Sequence, residues 1–248
     1  MRDTERRRQS FGAWANQYDQ LRPAYPQELV AAILDDCQAT VEHPVVDIGA
    51  GTGQLTRVID SLGFPVVAVE PDERMRALLA RGLGEQSALA GSAEDIPLQD
   101  GAAAAVLGGQ MWHWVRPEAA VPEIGRVLRP GGSMTIVWIL RDDRVGWVRE
   151  LAEVVSLPDR LSWFDGASVP SLGDPFGPFV MREQSFTQDF AVEQLPDHLR
   201  TYSSVALADD VEDQLAAAVR IVAEHPEAGV AGVVEMPFVA KAFSARRR

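Results

Sequence analysis

The chain has 248 residues, a formal net charge of −13, and a composition of 46% hydrophobic and 24% charged residues. That length suits one large domain, or one domain with an insertion, which buries enough apolar surface to fold without disulfides or metals. The acidic balance disfavours nucleic acid as a substrate, because phosphate binding needs a positive field. Cys37 is the only cysteine, which excludes an intrachain disulfide and favours a reducing, cytoplasmic setting.

The sequence contains no recognisable membrane or export signal. No stretch approaches the ~18 consecutive apolar residues that a membrane-spanning helix needs. The charged opening residues lack the apolar segment of a signal peptide. We therefore expect a cytoplasmic protein, monomeric or homodimeric, with no membrane partner. The histidines show no metal-ligand spacing, so we expect no metal site.

Short apolar runs alternate with amphipathic segments along the first 140 residues, which is typical of a parallel sheet covered by helices. The predicted strands are 45–48, 65–69, 87–91, 102–107 and 133–140. The predicted helices are 54–61, a segment capped by Asp72, and 117–128. Arg129-Pro130-Gly131-Gly132 predicts a stop and a turn before the last of these strands.

After residue 140 the regular alternation of predicted strands and helices ends. Residues 141–181 predict a helix near 143–156 followed by a loop-rich insertion. The segments expected beyond it are strands near 181–190 and 233–243, which are candidates for an antiparallel hairpin at a sheet edge, and helices near 192–202 and 211–224.

The sharpest motif is a glycine-rich loop, Gly49-Ala50-Gly51-Thr52-Gly53, directly after the first predicted strand. Glycines let the backbone approach a ligand closely and turn at once into a helix. The dinucleotide fingerprint G-x-G-x-x-G would need a glycine where Gln54 stands. Asp47, just before the loop, would repel a pyrophosphate at this helix N-terminus but attract a cationic group. Glu70, at the end of the second strand, can accept the hydroxyl hydrogens of a ribose.

These motifs together resemble class I S-adenosylmethionine (AdoMet)-dependent methyltransferases of the methyltransferase-11 type. The matching runs are S-F-G-A-W-A-N-Q-Y-D-Q-L-R-P-A-Y-P, D-I-G-A-G-T-G, V-E-P, G-S-A-E-D-I-P, Q-M-W-H-W and R-V-L-R-P-G-G-S-M. The resemblance implies an α/β, Rossmann-like sheet of seven mostly parallel strands. It also implies helices on both faces and a small insertion or lid after the fifth strand. AdoMet is the implied cofactor and S-adenosylhomocysteine the implied product.

The resemblance implies a single methyltransferase domain with four segments. These are an N-terminal helical cap (1–40), an AdoMet-binding core (41–140), a substrate-side insertion (141–181), and C-terminal strands and helices (182–248). The residues expected to bind the cofactor are Tyr18, Arg22, Asp47, Gly49, Ala50, Gly51, Gly53, Glu70, Pro71, Met75, Ser92, Ala93, Glu94 and Gln110.

Particular roles within this site follow from the same resemblance. Asp47 is expected to support the amino group and Glu70 the ribose, while Pro71 and Met75 flank the adenine. Many family members have Asp where this chain has Ser92, so the contact to the adenine amino group falls to Glu94 or a water. Tyr18 and Arg22 are expected at the methionine carboxylate, with packing as the alternative for Tyr18.

His113 is the candidate general base, because it follows the fourth strand and its reference pKa suits proton transfer near neutral pH. Capping a turn or packing against Trp114 is the alternative role for this histidine. The candidate substrate contacts are Trp14, Trp114, Trp138, Arg141 and Arg144. Core packing is the alternative for Trp114, and salt bridges to Asp142 or Asp143 are the alternative for the two arginines.

The sequence thus predicts methyl transfer to a small molecule by in-line displacement, with O-methylation favoured over N- or C-methylation. A protein of the same fold that uses AdoMet in other chemistry, such as a cyclase, or that senses a ligand, is the first alternative. An NAD-dependent oxidoreductase is the second alternative, which Gln54 and Asp47 disfavour.

Overall fold

The computed structural model describes residues 21–84, 87–157, 161 and 172–248. The chain divides into two compact units. The glycine-loop unit consists of residues 25–138, 169–184 and 240–248, and the second unit consists of residues 1–24, 139–168 and 185–239. Trp14 and Tyr18 lie outside the described residues, as does part of the predicted insertion.

Among the described residues, eight strands form one sheet, which is flanked by helices. The strands are β1 (Val45–Ile48), β2 (Val66–Val69), β3 (Ala88–Leu89), β4 (Ala103–Gly109), β5 (Leu128–Arg141), β6 (Val180–Ala191), β7 (Gly229–Val230) and β8 (Val233–Arg246). The α-helices are α1 (Gln27–Asp36), α2 (Gln54–Ser61), α3 (Glu73–Leu83), α4 (Pro117–Val127), α5 (Gly146–Val154), α6 (Leu195–Arg200), α7 (Ser203–Ala206) and α8 (Val211–Glu224). The strand order is β3-β2-β1-β4-β5-β8-β6, with β7 paired to β8. This arrangement confirms the predicted Rossmann-like α/β fold with about seven strands.

The parallel strands β1, β2 and β4 end at the same edge of the sheet, so the loops that follow them lie at that edge. Strand β1 pairs in parallel with β2 on one side and with β4 on the other. All four residues of β1 are buried, which explains why its sequence is a continuous apolar run interrupted only by Asp47. The loops that follow β1, β2 and β4 therefore leave the same edge, where parallel sheets bind ligands.

Strand β5 begins earlier than the sequence predicts. The Arg129-Pro130-Gly131-Gly132 segment belongs to the strand and is not a turn before it. Leu128 already pairs with Ala103, and the register then shifts before Ser133 pairs with Ala105. The extra residues are accommodated as an irregularity within β5, where Gly131 takes a positive φ of 77°.

The predicted helix near 192–202 is also divided. A 3₁₀ turn over Val192–Gln194 precedes α6, and α6 begins at Leu195 with Pro196 in its first turn. Proline at that position starts a helix because its missing N–H has no partner to lose there. The strand β8 extends three residues past its predicted end, to Arg246.

Each unit has its own apolar packing. In the glycine-loop unit, Val46 and Val106 of the sheet belong to one buried cluster with Ile124 of α4. In the second unit, α5 lies against α8, and Trp147 of α5 is buried. No helix among the described residues is long and apolar enough to cross a membrane.

The N-terminus of α3 provides a test of the local structure. The Asp72 carboxylate accepts hydrogen bonds from the backbone N–H groups of Arg74 and Met75, as the predicted helix cap requires. We expect Asp72→Ala to lower the free energy of unfolding by about 1 kcal/mol, because two N–H groups lose their acceptor. Urea denaturation measures this difference. Asp60→Ala, which removes an exposed carboxylate that caps no helix start, is the control, and an equal loss in both variants would contradict the capping role.

Candidate functional site

The glycine loop after β1 has a backbone that only glycine adopts readily. Gly49, Gly51 and Gly53 have φ values of 63°, 59° and 91°, in the left-handed region. A Cβ on Gly49 would meet the Met111 side chain at 3.0 Å, and one on Gly53 would overlap Leu79. The loop therefore needs glycine for its conformation and also for the close approach of its neighbours.

Glu70 fixes this loop to the end of β2. One carboxylate oxygen of this buried side chain accepts a hydrogen bond from the Gly51 N–H at 2.8 Å. The other oxygen accepts one from the Asp72 N–H, also at 2.8 Å. A carboxylate oxygen can accept more than one hydrogen, so these bonds are compatible with the predicted contact to ribose hydroxyls.

Asp47 lies within β1, with only 1% of its surface exposed. Its carboxylate accepts a hydrogen bond from the Thr56 hydroxyl at 2.6 Å. Burial raises the pKa of Asp47 to about 7, and the nearby negative charge of Glu70 adds to this rise, while the bonds from Thr56 oppose it. The site thus holds a carboxyl group that is poised to ionise near neutral pH when a cation approaches.

The segment after β3 holds the residues predicted at the adenine. Ser92 and Asp95 form a two-residue bridge, and the Ser92 hydroxyl accepts a hydrogen bond from the Glu94 N–H at 3.3 Å. The Glu94 carboxylate accepts a bond from the Arg116 N–H at 2.9 Å. Burial acts to raise the pKa of Glu94, but hydrogen bonds, led by that from Arg116, outweigh it and lower the pKa. Glu94 is therefore ionised and already engaged by Arg116.

The rest of the predicted adenine contacts lie near the loop. Met75, in the first turn of α3, is buried, and its sulfur is 4.0 Å from where a Gly51 Cβ would stand. Pro71 is exposed, at the end of β2, and Ala93 is buried between Ser92 and Glu94. The structure thus places Met75 beside the glycine loop.

Aromatic rings follow β4 and continue in β5. The ring of His113 lies 4.8 Å from that of Trp114 and stacks on that of Trp138, with centroids 5.4 Å apart. His113 is exposed, so the predicted packing against Trp114 and a role in proton transfer are compatible. Gln110, which directly follows β4, has a φ of 55°, a strained backbone for a residue other than glycine.

Tyr25 lies against the end of β4, a position that the sequence analysis did not predict. A Cβ on Gly109, the last residue of β4, would overlap the Tyr25 hydroxyl and ring. The tyrosine is 92% buried against the carboxyl end of β4, the same edge from which the other site residues project. The sequence contains both partners of this contact, Tyr25 in the run R-P-A-Y-P and Gly109 in the Gly-Gly pair that ends a strand. Nothing in the sequence indicates that these two segments lie against each other.

The second unit holds the predicted arginines. The Arg22 guanidinium donates to the Thr201 carbonyl at 2.9 Å and lies 3.7 Å from the centroid of the Tyr202 ring. Arg141 lies over the same ring at 4.1 Å. Arg144 instead forms a bidentate ion pair with Asp142, with both distances 2.7 Å.

The ion pair of Arg144 bears out the alternative given for this residue in the sequence analysis. The two hydrogen bonds use the planar fork of the guanidinium. The Asp142 pKa is lowered, chiefly by the side-chain hydrogen bonds from Arg144. No group of three or more His, Cys, Asp or Glu side chains suited to a metal occurs in the part of the chain that the structure describes.

Comparison with known proteins agrees with this geometry. A family model described as a methyltransferase domain matches residues 46–136. An uncharacterized methyltransferase of Mycobacterium tuberculosis is 37% identical over 235 residues, which cover 93% of this chain and 92% of the relative. A methyltransferase-like protein of Schizosaccharomyces pombe is 31% identical over 194 residues, covering 76% and 75%.

Solved structures share the fold at lower identity. A candidate type II methyltransferase from Anaeromyxobacter dehalogenans has a TM-score of 0.63 and 22% identity, with 92% of this chain and 97% of that chain covered. The YcgJ protein of Bacillus subtilis has a TM-score of 0.53 and 16% identity, with 90% and 99% covered.

The fold and the glycine-loop site define an α/β methyltransferase of class I, the type that uses AdoMet. The chain belongs to the methyltransferase family of the M. tuberculosis relative. The site residues fit this cofactor, because a buried carboxyl beside a glycine loop suits an ammonium or sulfonium and not a pyrophosphate.

The raised pKa of Asp47 predicts a specific pH dependence of stability. The folded protein keeps a proton on Asp47 up to about pH 7, whereas the unfolded chain releases it near the ordinary aspartate pKa of 3.8. Stability from this group is therefore lost as pH rises from about 4 to about 7. We expect Asp47→Asn to be more stable than wild type by a few kcal/mol at pH 8, with the difference vanishing near pH 4.

Denaturant unfolding of the AdoMet-free protein at a series of pH values measures this difference. Subtracting the free energy of unfolding of the variant from that of wild type at each pH removes the contributions of the other titrating groups. A difference that does not change between pH 4 and pH 8 would contradict the account of Asp47.

Proposed function

We propose that this protein transfers the methyl group of AdoMet to a small-molecule acceptor, with oxygen as the favoured nucleophile. The single observation that carries the cofactor assignment is the Glu70 carboxylate, which bonds to the N–H groups of Gly51 and Asp72. That arrangement keeps an acceptor group for ribose hydroxyls next to a loop that lets a ligand approach its backbone.

The roles of the other cofactor residues follow from their places at this edge of the sheet. Asp47 supports the amino group of the cofactor, while Gly49, Ala50, Gly51 and Gly53 line its methionine and ribose portions. Met75 and Pro71 flank the adenine, and Ser92, Ala93 and Glu94 lie at its edge. Because Glu94 already bonds to Arg116, a water on Ser92 is the better partner for the adenine amino group. Gln110 contacts the cofactor from the end of β4.

The acceptor is a small molecule with an apolar body. The net charge of −13 opposes binding of nucleic acid. The stacked rings of His113 and Trp138, with Trp114 beside them, offer flat apolar faces for an aromatic or unsaturated acceptor.

In the proposed reaction, His113 acts as the base. When bound, AdoMet supplies an electrophilic methyl group on a sulfonium sulfur. A hydroxyl nucleophile loses its proton as it bonds to that carbon, and the exposed imidazole of His113 can accept this proton. Holding the reactants in line and excluding water supply the rest of the acceleration.

The cofactor assignment is tested by calorimetric titration with AdoMet, S-adenosylhomocysteine and NADH. We expect the first two to bind and NADH not to bind. Glu70→Ala should raise the dissociation constant for AdoMet about 10- to 100-fold, through the loss of charge-assisted hydrogen bonds. Glu73→Gln, an exposed acid on the adjacent helix, is the control and should bind normally. Binding of NADH alone would contradict the proposal.

The reaction type is tested by the product. Incubation with AdoMet and a panel of phenols, alcohols, amines and carbon acids, followed by chromatography, should yield S-adenosylhomocysteine with at least one acceptor. Release of methylthioadenosine instead would identify a cyclase and refute methyl transfer.

The role of His113 is tested with the best acceptor from that panel. We expect His113→Ala to lower kcat by about 10²- to 10⁴-fold while leaving the AdoMet dissociation constant within twofold, as for loss of a general base. Trp114→Phe, which keeps an aromatic ring beside position 113, is the comparison. A change confined to KM in the His113 variant would assign the residue to binding and refute its role as the base.

A further inference from the structure

Several arginines of the glycine-loop unit gather at the edge of the sheet opposite the glycine loop. Strand β5 runs parallel to β4, so its first residues lie at the edge away from the end of β4. Arg129 is the second residue of β5. The Arg247 N–H donates to the Gly132 carbonyl at 2.8 Å, which places the residue after β8 beside the start of β5. Arg129 and Arg247 therefore lie at the same edge.

The guanidinium groups of three of these arginines bond to the same few residues. Arg129 donates through Nη2 to the Gln38 carbonyl at 2.8 Å. Arg246, the last residue of β8, donates to the side-chain oxygen of Gln38 at 3.2 Å and to the carbonyl of the last residue of α1 at 2.8 Å. Arg247 donates to the carbonyl of the residue just before Arg129. The three side chains form one group, which we call the arginine cluster.

The acceptors within the arginine cluster hold the cations in place without neutralising them. They are carbonyl and amide oxygens, and the carbonyls near the end of α1 supply only the partial negative charge of a helix C-terminus. The Asp36 carboxylate bonds to Arg182 through both of its oxygens, and its attraction to Arg246 is the weaker one. Asp174 lies 3.8 Å from Arg248. Among the described residues, no carboxylate forms an ion pair with a member of the arginine cluster.

Arg129 has a donor without an acceptor. Its Nε is buried and has no hydrogen-bond partner in the described part of the chain. Buried donors in folded proteins are nearly always bonded, either to the protein or to a bound molecule. Arg129 also lies in the irregular part of β5, between Leu128 and Ser133, and such irregularities commonly turn side chains toward functional sites. Both observations indicate an anion that bonds to this side chain.

We propose that the arginine cluster binds the phosphate group of a phosphorylated ligand, at a site separate from the glycine loop. Three guanidinium groups suit an anion that carries two or more charges, because each charge gains a partner of opposite sign. The planar fork of a guanidinium also matches the oxygens of a phosphate. The chain as a whole carries a net charge of −13, so a ligand of this kind needs a local group of cations.

Binding is tested with pyrophosphate by calorimetric titration, with ionic strength held constant by sodium chloride. We expect wild type to bind, and we expect Arg129→Met and Arg247→Met each to raise the dissociation constant at least tenfold. That loss is of the size expected for charge-assisted hydrogen bonds. Arg81→Met is the matched control and should bind within twofold of wild type, because Arg81 is an exposed arginine of the same unit at the end of α3.

Three outcomes of this titration would overturn the proposal. The first is the absence of binding of both pyrophosphate and inorganic phosphate to wild type. The second is an equal loss in Arg81→Met, which would show that only the general field of the protein is measured. The third is equally tight binding of succinate, which would replace the phosphate with a carboxylate.

A further variant separates binding from folding. Arg129 and Arg247 bond to backbone carbonyls, so their substitution also lowers the thermal unfolding midpoint of the free protein. Arg246 is exposed, and Arg246→Met should keep a midpoint close to that of wild type while it binds pyrophosphate at least fivefold more weakly. Normal binding in Arg246→Met, together with a loss confined to variants that unfold at lower temperature, would assign the cluster to structure and refute the proposal.

The glycine loop precedes a helix N-terminus, where a pyrophosphate could also bind. We expect saturating AdoMet to leave the dissociation constant for pyrophosphate unchanged, and Arg246→Met to bind AdoMet as wild type does. Competition between AdoMet and pyrophosphate would place the anion at the glycine loop and overturn the proposal. Absence of AdoMet binding would instead refute the proposed function and leave the arginine cluster untouched.

A phosphate can belong to a soluble molecule or to a lipid headgroup, and sedimentation with vesicles distinguishes these sources. We expect wild type to bind pyrophosphate and not to sediment with vesicles that contain phosphatidic acid. Sedimentation that pyrophosphate abolishes, and that is lost in Arg246→Met, would identify a lipid headgroup as the source of the phosphate. Sedimentation that persists in Arg246→Met would place the membrane contact elsewhere and contradict a lipid ligand of the arginine cluster.

Discussion

The hydrogen bonds of Glu70 are the interaction on which the glycine-loop site depends. The carboxylate joins the loop after β1, through Gly51, to the start of α3, through Asp72. The parallel pairing of β1 and β2 places both segments at the same edge of the sheet, and the carboxylate then holds them together. Because Gly49, Gly51 and Gly53 have left-handed backbones, few other sequences could present this N–H to Glu70.

The two units each bury a charge-bearing group that the chain only partly compensates. Asp47 stays protonated to about pH 7 because burial disfavours its anion. Arg141 cannot respond in this way, because a guanidinium does not lose its proton in proteins. Burial of each of these groups therefore costs free energy in the folded protein.

The features that the sequence predicts well are local. The bounds of α2, the cap at Asp72 and the glycine loop depend on residues within a few positions of one another, and the structure has each of them. The cluster of Arg22, Arg141 and Tyr202 joins residues far apart in the chain, so no spacing rule reveals it. Arg141 was a candidate substrate contact because it directly follows the predicted strand 133–140, but its burial and the lack of hydrogen-bond partners for its guanidinium among the described residues depend on tertiary packing.

The central claim is that AdoMet binds at the glycine loop with its ammonium next to Asp47, and proton release on binding tests it most directly. Calorimetric titration at pH 6.5 in buffers of different ionisation enthalpy gives the number of protons released. Because a nearby cation lowers the pKa of a carboxyl by about 1–3 units, wild type should release roughly half a proton or more per AdoMet, and Asp47→Asn should release none. Binding of AdoMet without proton release in wild type, or with the same release in Asp47→Asn, would contradict the account.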